Sequence, residues 1–475
     1  MNGNQIKGFV KYNEIEYGFF FADEELLLFP CNEEQRQKDT PNLFDMFIAG
    51  RPQPRKVIRK ILISGTTSDG KNVIFQVSED PGNDNGYLYF HVYAIYLYTK
   101  HHHVYAKDLS TQSSVANRIR GLRIGGQDVD FFYNPAHAFE YKISRDSRFQ
   151  DSVSVSDIKP MNCGMLSYGG VDISVSVCAY PAMHFQLSTP YTCSSEFIFH
   201  FSKEVQIEFV QEFIGYLQLC MRFICRRRAV VLGDAQIFDI DESEKSRSFG
   251  ELCVFQFARK PSEDKKAKDV ITYQMLGEHF AKLLQCFCDK VMYTNHYPVN
   301  TASYSPDRII FLLIGFEREF QNLNPEDSYR CEEYLKVKGM IKQYADELAE
   351  STPSKREAKY AKAFSRSIGK MQIGFGDKLR RAIVEHQSIM DCFLIDEYGE
   401  EYKKQLDEIC ARMNKLRNDL AHGNLDLKFC PEHIGDLKMV EQLLYAMRLK
   451  AIGVEERSVR SAINTIFRCN LSLDD

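Results

Sequence analysis

Apolar and polar positions change their period along the chain. Over roughly the first 200 residues the apolar runs are short or alternate: GFV, LLLF, VIRKILI and, after Asp69-Gly70, VIFQV read as strands broken by turns. Val171, Ile173, Val175 and Val177 alternate with Asp172, Ser174 and Ser176, as a strand with one buried face requires. The segment from Tyr87 to Tyr98, YLYFHVYAIYLY, is apolar on both faces and predicts a central strand or one covered by another layer.

Residues 203–226 place Val205, Phe209, Phe213, Tyr216, Cys220 and Phe223 along one side of a long helix. AVVLGDAQIFDI and LCVFQF follow as strands, the charged stretch from Ala258 to Asp269 as an exposed loop, and Tyr273 to Met292 as a helix. From Ser305 the pattern turns almost wholly helical. Ser305 caps a helix with Pro306 at its first position, Ile309, Leu312, Leu313 and Phe316 form its stripe, and Glu317 stands just beyond. Helices over Gly376–Asp396 and Glu401–His422, joined by IDEYG, precede two more over Ile434–Lys450 and Val454–Phe467, a bundle of about six. The expectation is an α+β chain: a β-rich recognition domain over 1–202, a smaller α/β bridging segment over 203–300, and an all-α bundle over 305–475.

Composition narrows this picture. The chain has 475 residues, 44% hydrophobic and 26% charged, room for two or three ordinary cores, and its net charge of -5 attracts no nucleic acid as a whole. Nucleic-acid binding therefore needs a local patch. Lys355, Lys359, Lys362, Arg366 and Lys370 supply one, on one face of a helix whose only acid is Glu357. Apolar runs such as Ile309 to Phe316 are too short to span a bilayer and MNGNQIKG is no secretory signal, so a cytoplasmic, membrane-free protein is expected. The 14 cysteines contain no CxxC pair and read as reduced core thiols; the triplet His101, His102, His103 has no acidic or cysteine partner nearby, and no metal or other cofactor is expected. Two polar stretches, SEDPGNDNG and Thr111 to Asn117, read as loops, and the run Arg226, Arg227, Arg228 as a helix C-terminus favourable to the helix dipole.

Candidate chemistry gathers in YKKQLDEICARMNKLRNDLAHGN, Tyr402 to Asn424. Leu406, Ile409, Cys410, Met413, Leu416 and Leu420 give a helix one buried stripe, which Gly423 ends with a left-handed cap. Arg417 falls inside that stripe, about 40° from Met413, where an unpaired guanidinium is costly to desolvate. Asn418 and His422 share a face one turn apart. Arginine holds phosphate oxygens with paired hydrogen bonds and histidine moves protons near neutral pH, the equipment of metal-independent phosphodiester cleavage. A second histidine is needed on the far side of the phosphorus, and a symmetry copy would bring one. Arg381 and His386 repeat the spacing in RRAIVEH, but lie in an apolar mid-helix setting and read as a chance match.

The motif RNDLAHGN, closing a helix in a C-terminal helical domain, resembles the HEPN ribonuclease signature, and the chain looks like the ApeA-type anti-phage proteins; the resemblance covers about 305–475. It implies a bundle that dimerises, or forms a higher even oligomer, so that paired motifs build one RNA-cleaving site. Arg417, Asn418 and His422 are then catalytic, Glu317 a supporting acid, the product end a 2′,3′-cyclic phosphate, and the substrate host RNA, transfer RNA included. The biological role would be abortive infection, with the β domain sensing a phage-derived trigger. The competing reading is a non-catalytic adaptor, in which Arg417 pairs within its own chain with a carboxylate such as Asp419 or Glu408, and the bundle dimerises or binds a nucleotide. An Arg417 buried in an intrachain ion pair favours the adaptor; one facing a partner's His422 across an open groove favours the enzyme.

Overall fold

The computed structural model describes the chain apart from residues 1–4, 32–59, 85–86, 99–118, 136–141, 146–150, 155–158, 184–190, 228–229, 231, 241–245, 255–268, 294–296, 298–302, 326–331, 371–372, 424–429 and 474–475. His101 to His103 and the stretch Thr111 to Asn117 lie outside the described residues. The chain divides into two compact units, Met1–Asp289 and Lys290–Asp475. Its class is α+β, strands first and helices last.

The first unit is organised around one strand, β7 (Tyr87–Tyr98). Along one edge β7 pairs first with β3 (Glu25–Pro30) and then with β15 (Ser246–Val254); along the other it pairs with β6 (Gly82–Asp84) and β5 (Asn72–Ser78). With β1 (Ile6–Tyr12), β2 (Ile15–Ala22) and β4 (Lys60–Thr67) the path β7-β3-β2-β1-β4-β5 returns to β7, a closed six-stranded barrel filled by Tyr17, Phe19, Phe21, Phe75 and Phe90. Through β15 the same strand continues into an open sheet: β14 (Ala235–Ile240), β8 (Ile119–Gly125), β13 (Tyr191–Val205), β12 (Val171–Met183) and β11 (Met161–Tyr168), while β9 (Lys142–Arg145) and β10 (Asp151–Ser154) pair with each other as a separate two-stranded sheet. Where both structures meet, Ala94, Ile95 and Tyr96 are buried in succession, which is why this stretch is apolar on both faces.

Both the Asp69-Gly70 hairpin and the alternation in β12 take the predicted form, with Val171, Ile173, Val175 and Val177 buried. SEDPGNDNG is not a free loop, since β6 forms within it. The helices α1 (Gln127–Phe132), α2 (Ile207–Cys225), α3 (Tyr273–Leu276) and α4 (His279–Cys288) belong to the same unit, α4 packing on β11 and on α2. Helix α2 buries Val210, Phe213, Ile214, Leu217, Cys220 and Met221, whereas Phe209 and Tyr216 sit at its margin against Tyr168. Val205 ends β13 and is not helical.

Residues 203–289 do not stand apart as a bridging segment. Strands β14 and β15 fill the gap between β8 and β7, so removal of this part would split the sheet. Nor does the arginine run act on the helix dipole alone: Arg227 pairs with the buried Asp128 of α1, and Arg226 takes the left-handed cap of α2.

Among the described residues the second unit has eight helices, against the expected number of about six: α5 (Pro306–Leu323), α6 (Glu332–Ser351), α7 (Lys355–Lys370), α8 (Phe375–Glu385), α9 (Gln387–Tyr398), α10 (Tyr402–Ala421), α11 (Pro431–Ala451) and α12 (Glu456–Phe467). Ser305 caps α5 as expected, its hydroxyl accepting from Arg308 N. The expected single helix from Gly376 to Asp396 breaks at His386, whose ring is buried with Nδ1 3.0 Å from Ala382 O. Desolvation holds this imidazole below the usual histidine range. The second Arg–His spacing thus sits at a helix junction and not mid-helix, with Arg381 bound to Glu385 at 2.6 Å and the histidine closed off from solvent.

At the centre lies α11, buried on all sides from Gly435 to Leu449 except at Lys438 and packed against α5, α8, α9, α10 and α12. Three charged residues on it are buried and paired. Asp436 takes two hydrogen bonds of 2.9 Å from Arg412 and one of 2.9 Å from Tyr398; Glu441 meets Arg308 at 2.8 Å; Arg448 meets Glu319 at 2.6 Å, and Glu319 also accepts from Tyr297 at 3.1 Å. A buried ion left without its partner costs several kcal/mol, so these contacts fix the helices in one register. Replacing Arg448 by Met is expected to destabilise this unit by about 3–5 kcal/mol, because it strands the Glu319 carboxylate, while adding Glu319→Leu recovers most of the loss. Urea unfolding of the two variants measures the difference.

Candidate functional site

The C-terminal end of α10 carries the motif. Leu406, Ile409, Cys410, Met413, Leu416 and Leu420 are all buried, as the apolar stripe requires. The helix ends at Ala421; His422 N donates to Asn418 O at 3.0 Å, and Gly423, at φ +77°, takes the left-handed conformation that closes the turn. His422 and Asn418 are exposed. No hydrogen bond to the His422 ring occurs among the described residues, so the imidazole stands open at a helix end.

Arg417 lies at the edge of the buried stripe with its side chain 38% exposed. Its partner is neither Asp419 nor Glu408. Nη2 donates to Glu317 Oε2 of α5 at 3.2 Å, and Nη1 reaches Asn418 Oδ1 at 3.4 Å. The other oxygen of Glu317 accepts from Lys378 Nζ of α8 at 3.5 Å, and Lys378 is only 2% exposed. One carboxylate therefore meets two cations, one interior and one at the surface. Three of the sequence candidates, Glu317, Arg417 and Asn418, form a connected chain of contacts, and His422 follows one turn along the same helix.

Lys378 escaped the sequence reading although the same signal marks it as marks Arg417. Phe375, Leu379, Ala382 and Ile383 form the buried stripe of α8, and a lysine three residues after Phe375 and four before Ala382 falls inside it. Its position depends on a close crossing of α8 and α10: a Cβ on Gly376 would lie 3.1 Å from Cys410 O and 3.4 Å from Asn414 Cβ. The nearby Cys410 thiol is pushed up to about 12 by burial, so it is a packing group and not a nucleophile.

The predicted basic face is present on α7. Lys355, Lys359, Lys362 and Arg366 are exposed, and none has an ion pair among the described residues; the Lys370 side chain lies outside them. Elsewhere, burial raises the thiols of Cys163 and Cys225 to about 12. Among the described residues no group of three His, Cys, Asp or Glu side chains is placed to hold a metal ion, and no helix is long and apolar enough to cross a membrane.

Comparison of the chain with protein-family models, with curated proteins and with solved structures gives no match. Because Glu317 holds both Lys378 and Arg417, Glu317→Gln is expected to cost about 1–3 kcal/mol, more than Arg417→Gln, which leaves the Lys378 pair in place. Thermal unfolding of the two single variants tests the order; equal losses would mean that Lys378 does not depend on the carboxylate.

Proposed function

We propose that the chain is a metal-independent HEPN-type endoribonuclease of anti-phage defence, cytoplasmic and acting as a dimer, whose N-terminal unit restrains it until a phage-derived trigger appears. The observation that carries this reading is the arrangement at the end of α10: a part-exposed guanidinium held through Nη2 by Glu317 and reaching Asn418 through Nη1, one and a half turns from an open imidazole. The ion pair preorganises the cation, and its exposed part can take a phosphate oxygen. RNA is the substrate because its 2′-hydroxyl supplies the nucleophile, and accessible loops let it reach in-line geometry. His422 of each copy serves the shared site, one taking the proton from the 2′-hydroxyl and the other giving one to the 5′-oxygen that leaves, which yields a 2′,3′-cyclic phosphate. Glu317 is a positioning residue, and Lys355, Lys359, Lys362, Arg366 and Lys370 form the substrate track.

One observation favours the adaptor. The Arg417–Glu317 ion pair lies within a single chain, as a structural arginine would have it. Its exposure keeps it short of a buried pair, and the two readings separate on chemistry. Under the nuclease reading, the trigger-activated protein cleaves RNA in the presence of EDTA, His422→Ala lowers the rate by about 10²–10⁴, and sequencing of RNA ends shows cyclic phosphates that vanish in the variant. RNA that stays intact with the trigger-activated wild type, or cleavage that chelation abolishes and magnesium restores, would defeat the proposal.

The basic track yields a second measurement. Changing Lys359, Lys362 and Arg366 together to Gln should lower the slope of log K against log salt by roughly 2–3, with little change in melting temperature because all three are exposed. An unchanged slope assigns these side chains to solvent alone.

A further inference from the structure

Helices α6 and α7 form an antiparallel hairpin, turning at Thr352, Pro353 and Ser354, whose two members pack chiefly on each other. The small residues Ala345, Ala349, Ala361 and Ser365 are buried along the seam. Large apolar side chains stand outside it. On α6, Val337, Met340, Ile341, Tyr344 and Leu348 are 53%, 62%, 51%, 67% and 44% exposed, and on α7 Tyr360 and Phe364 are 53% and 63% exposed.

These seven belong to one surface. At 100° per residue, the α6 stripe lies counterclockwise of its seam viewed from the N-terminus, and Tyr360 and Phe364 lie counterclockwise of theirs. Because the helices run in opposite directions, both flanks fall on the same side of the hairpin. The stripe Lys355, Lys359, Lys362 and Arg366 falls on the opposite side. The charges that flank the apolar surface are few and of both signs: Glu333, Lys336 and Glu347 on α6, Arg356 and Glu357 on α7.

We infer that this apolar face of the α6–α7 hairpin is the docking surface for a second copy of the chain, hairpin against hairpin across a two-fold axis. Three arguments select that occupant. An anionic partner, nucleic acid or acidic lipid, would be drawn to the cationic side and not to this one. Flanking charges of both signs let an isologous pairing set unlike charges against each other. Seven side chains, each about half exposed, present on the order of 700 Å² per copy, close to the ~800 Å² per partner of a standard stable interface.

The hairpin is also inserted where a dimer matters. In sequence it lies between α5, which ends six residues after Glu317, and α8, which begins three residues before Lys378. Pairing through the apolar face leaves the cationic face open to RNA in both copies. The link to catalysis rests on the shared-site reading above; the interface itself does not.

The test uses the full-length chain with Met340→Glu, Tyr344→Glu and Phe364→Glu combined, measured by sedimentation equilibrium and circular dichroism. Wild type is expected at twice the chain mass, the triple variant at the chain mass with the same helix signal and melting point. If the glutamates impair folding, Tyr344→Ser with Phe364→Ser is the substitute, expected to weaken association at least tenfold. A monomeric wild type, or a variant that stays dimeric, overturns the inference, as does loss of RNA binding at unchanged mass, which would assign the aromatic side chains to base stacking. A monomeric variant that cleaves RNA as wild type does upholds the interface and overturns the shared site.

Discussion

The helical unit depends on neutralising the charges of a helix that has no solvent face. Asp436, Glu441 and Arg448 on α11 are each buried, and each is matched by a charge from a different place: Arg412 on α10, and Arg308 and Glu319 on α5. Such pairs add little net stability over well-packed apolar residues, but they penalise every arrangement that leaves an ion alone. Their effect is to permit one register of α5 and α10 against α11. Glu317 lies two residues from Glu319, and Arg417 five residues from Arg412. The contact between Glu317 and Arg417 is thus inherited from pairs deeper in the bundle.

Seen this way, the candidate site is the surface end of an ionic system that begins inside. Charge runs outward from Lys378 through Glu317 to Arg417, and exposure rises along it. An arginine held like this keeps its direction without being enclosed, which serves anion binding better than either a free surface side chain or a fully buried pair. The same geometry also suits an inert structural arginine, so chemistry and not shape separates the two.

Much of the architecture was legible in the sequence because periodicity reports burial directly. The stripe of α10, the Ser305 cap of α5, the alternation of β12 and the two-sided strand β7 all took their expected form. What escaped depended on contacts distant in sequence. That β14 and β15 belong between β8 and β7 follows from pairing partners more than 100 residues away, which no local pattern encodes. The hairpins at Asn13-Glu14 and Asp23-Glu24 were hidden because both turns place glutamate, not glycine, at positive φ. The helix break at His386 was masked by helix-spaced apolar residues on both sides, Ala382 and Ile383 before it and Ile389 and Met390 after it. At the site, Arg417 and Lys378 were each detectable as a cation within an apolar stripe, but their common partner on α5 was not.

Strand β7 has a consequence for how the protein is made. It leaves the ribosome early, yet the strand that covers its second half on one edge, β15, begins at Ser246, 148 residues beyond Tyr98. At ordinary translation rates of about 5–20 residues per second that is a wait of roughly 7 to 30 seconds. During it, half of an apolar strand presents unpaired backbone groups, the kind of edge that recruits other chains. Synthesis of the N-terminal unit thus passes through a sticky intermediate, and slowing the ribosome between these two strands would lengthen the interval in which nascent chains can find each other.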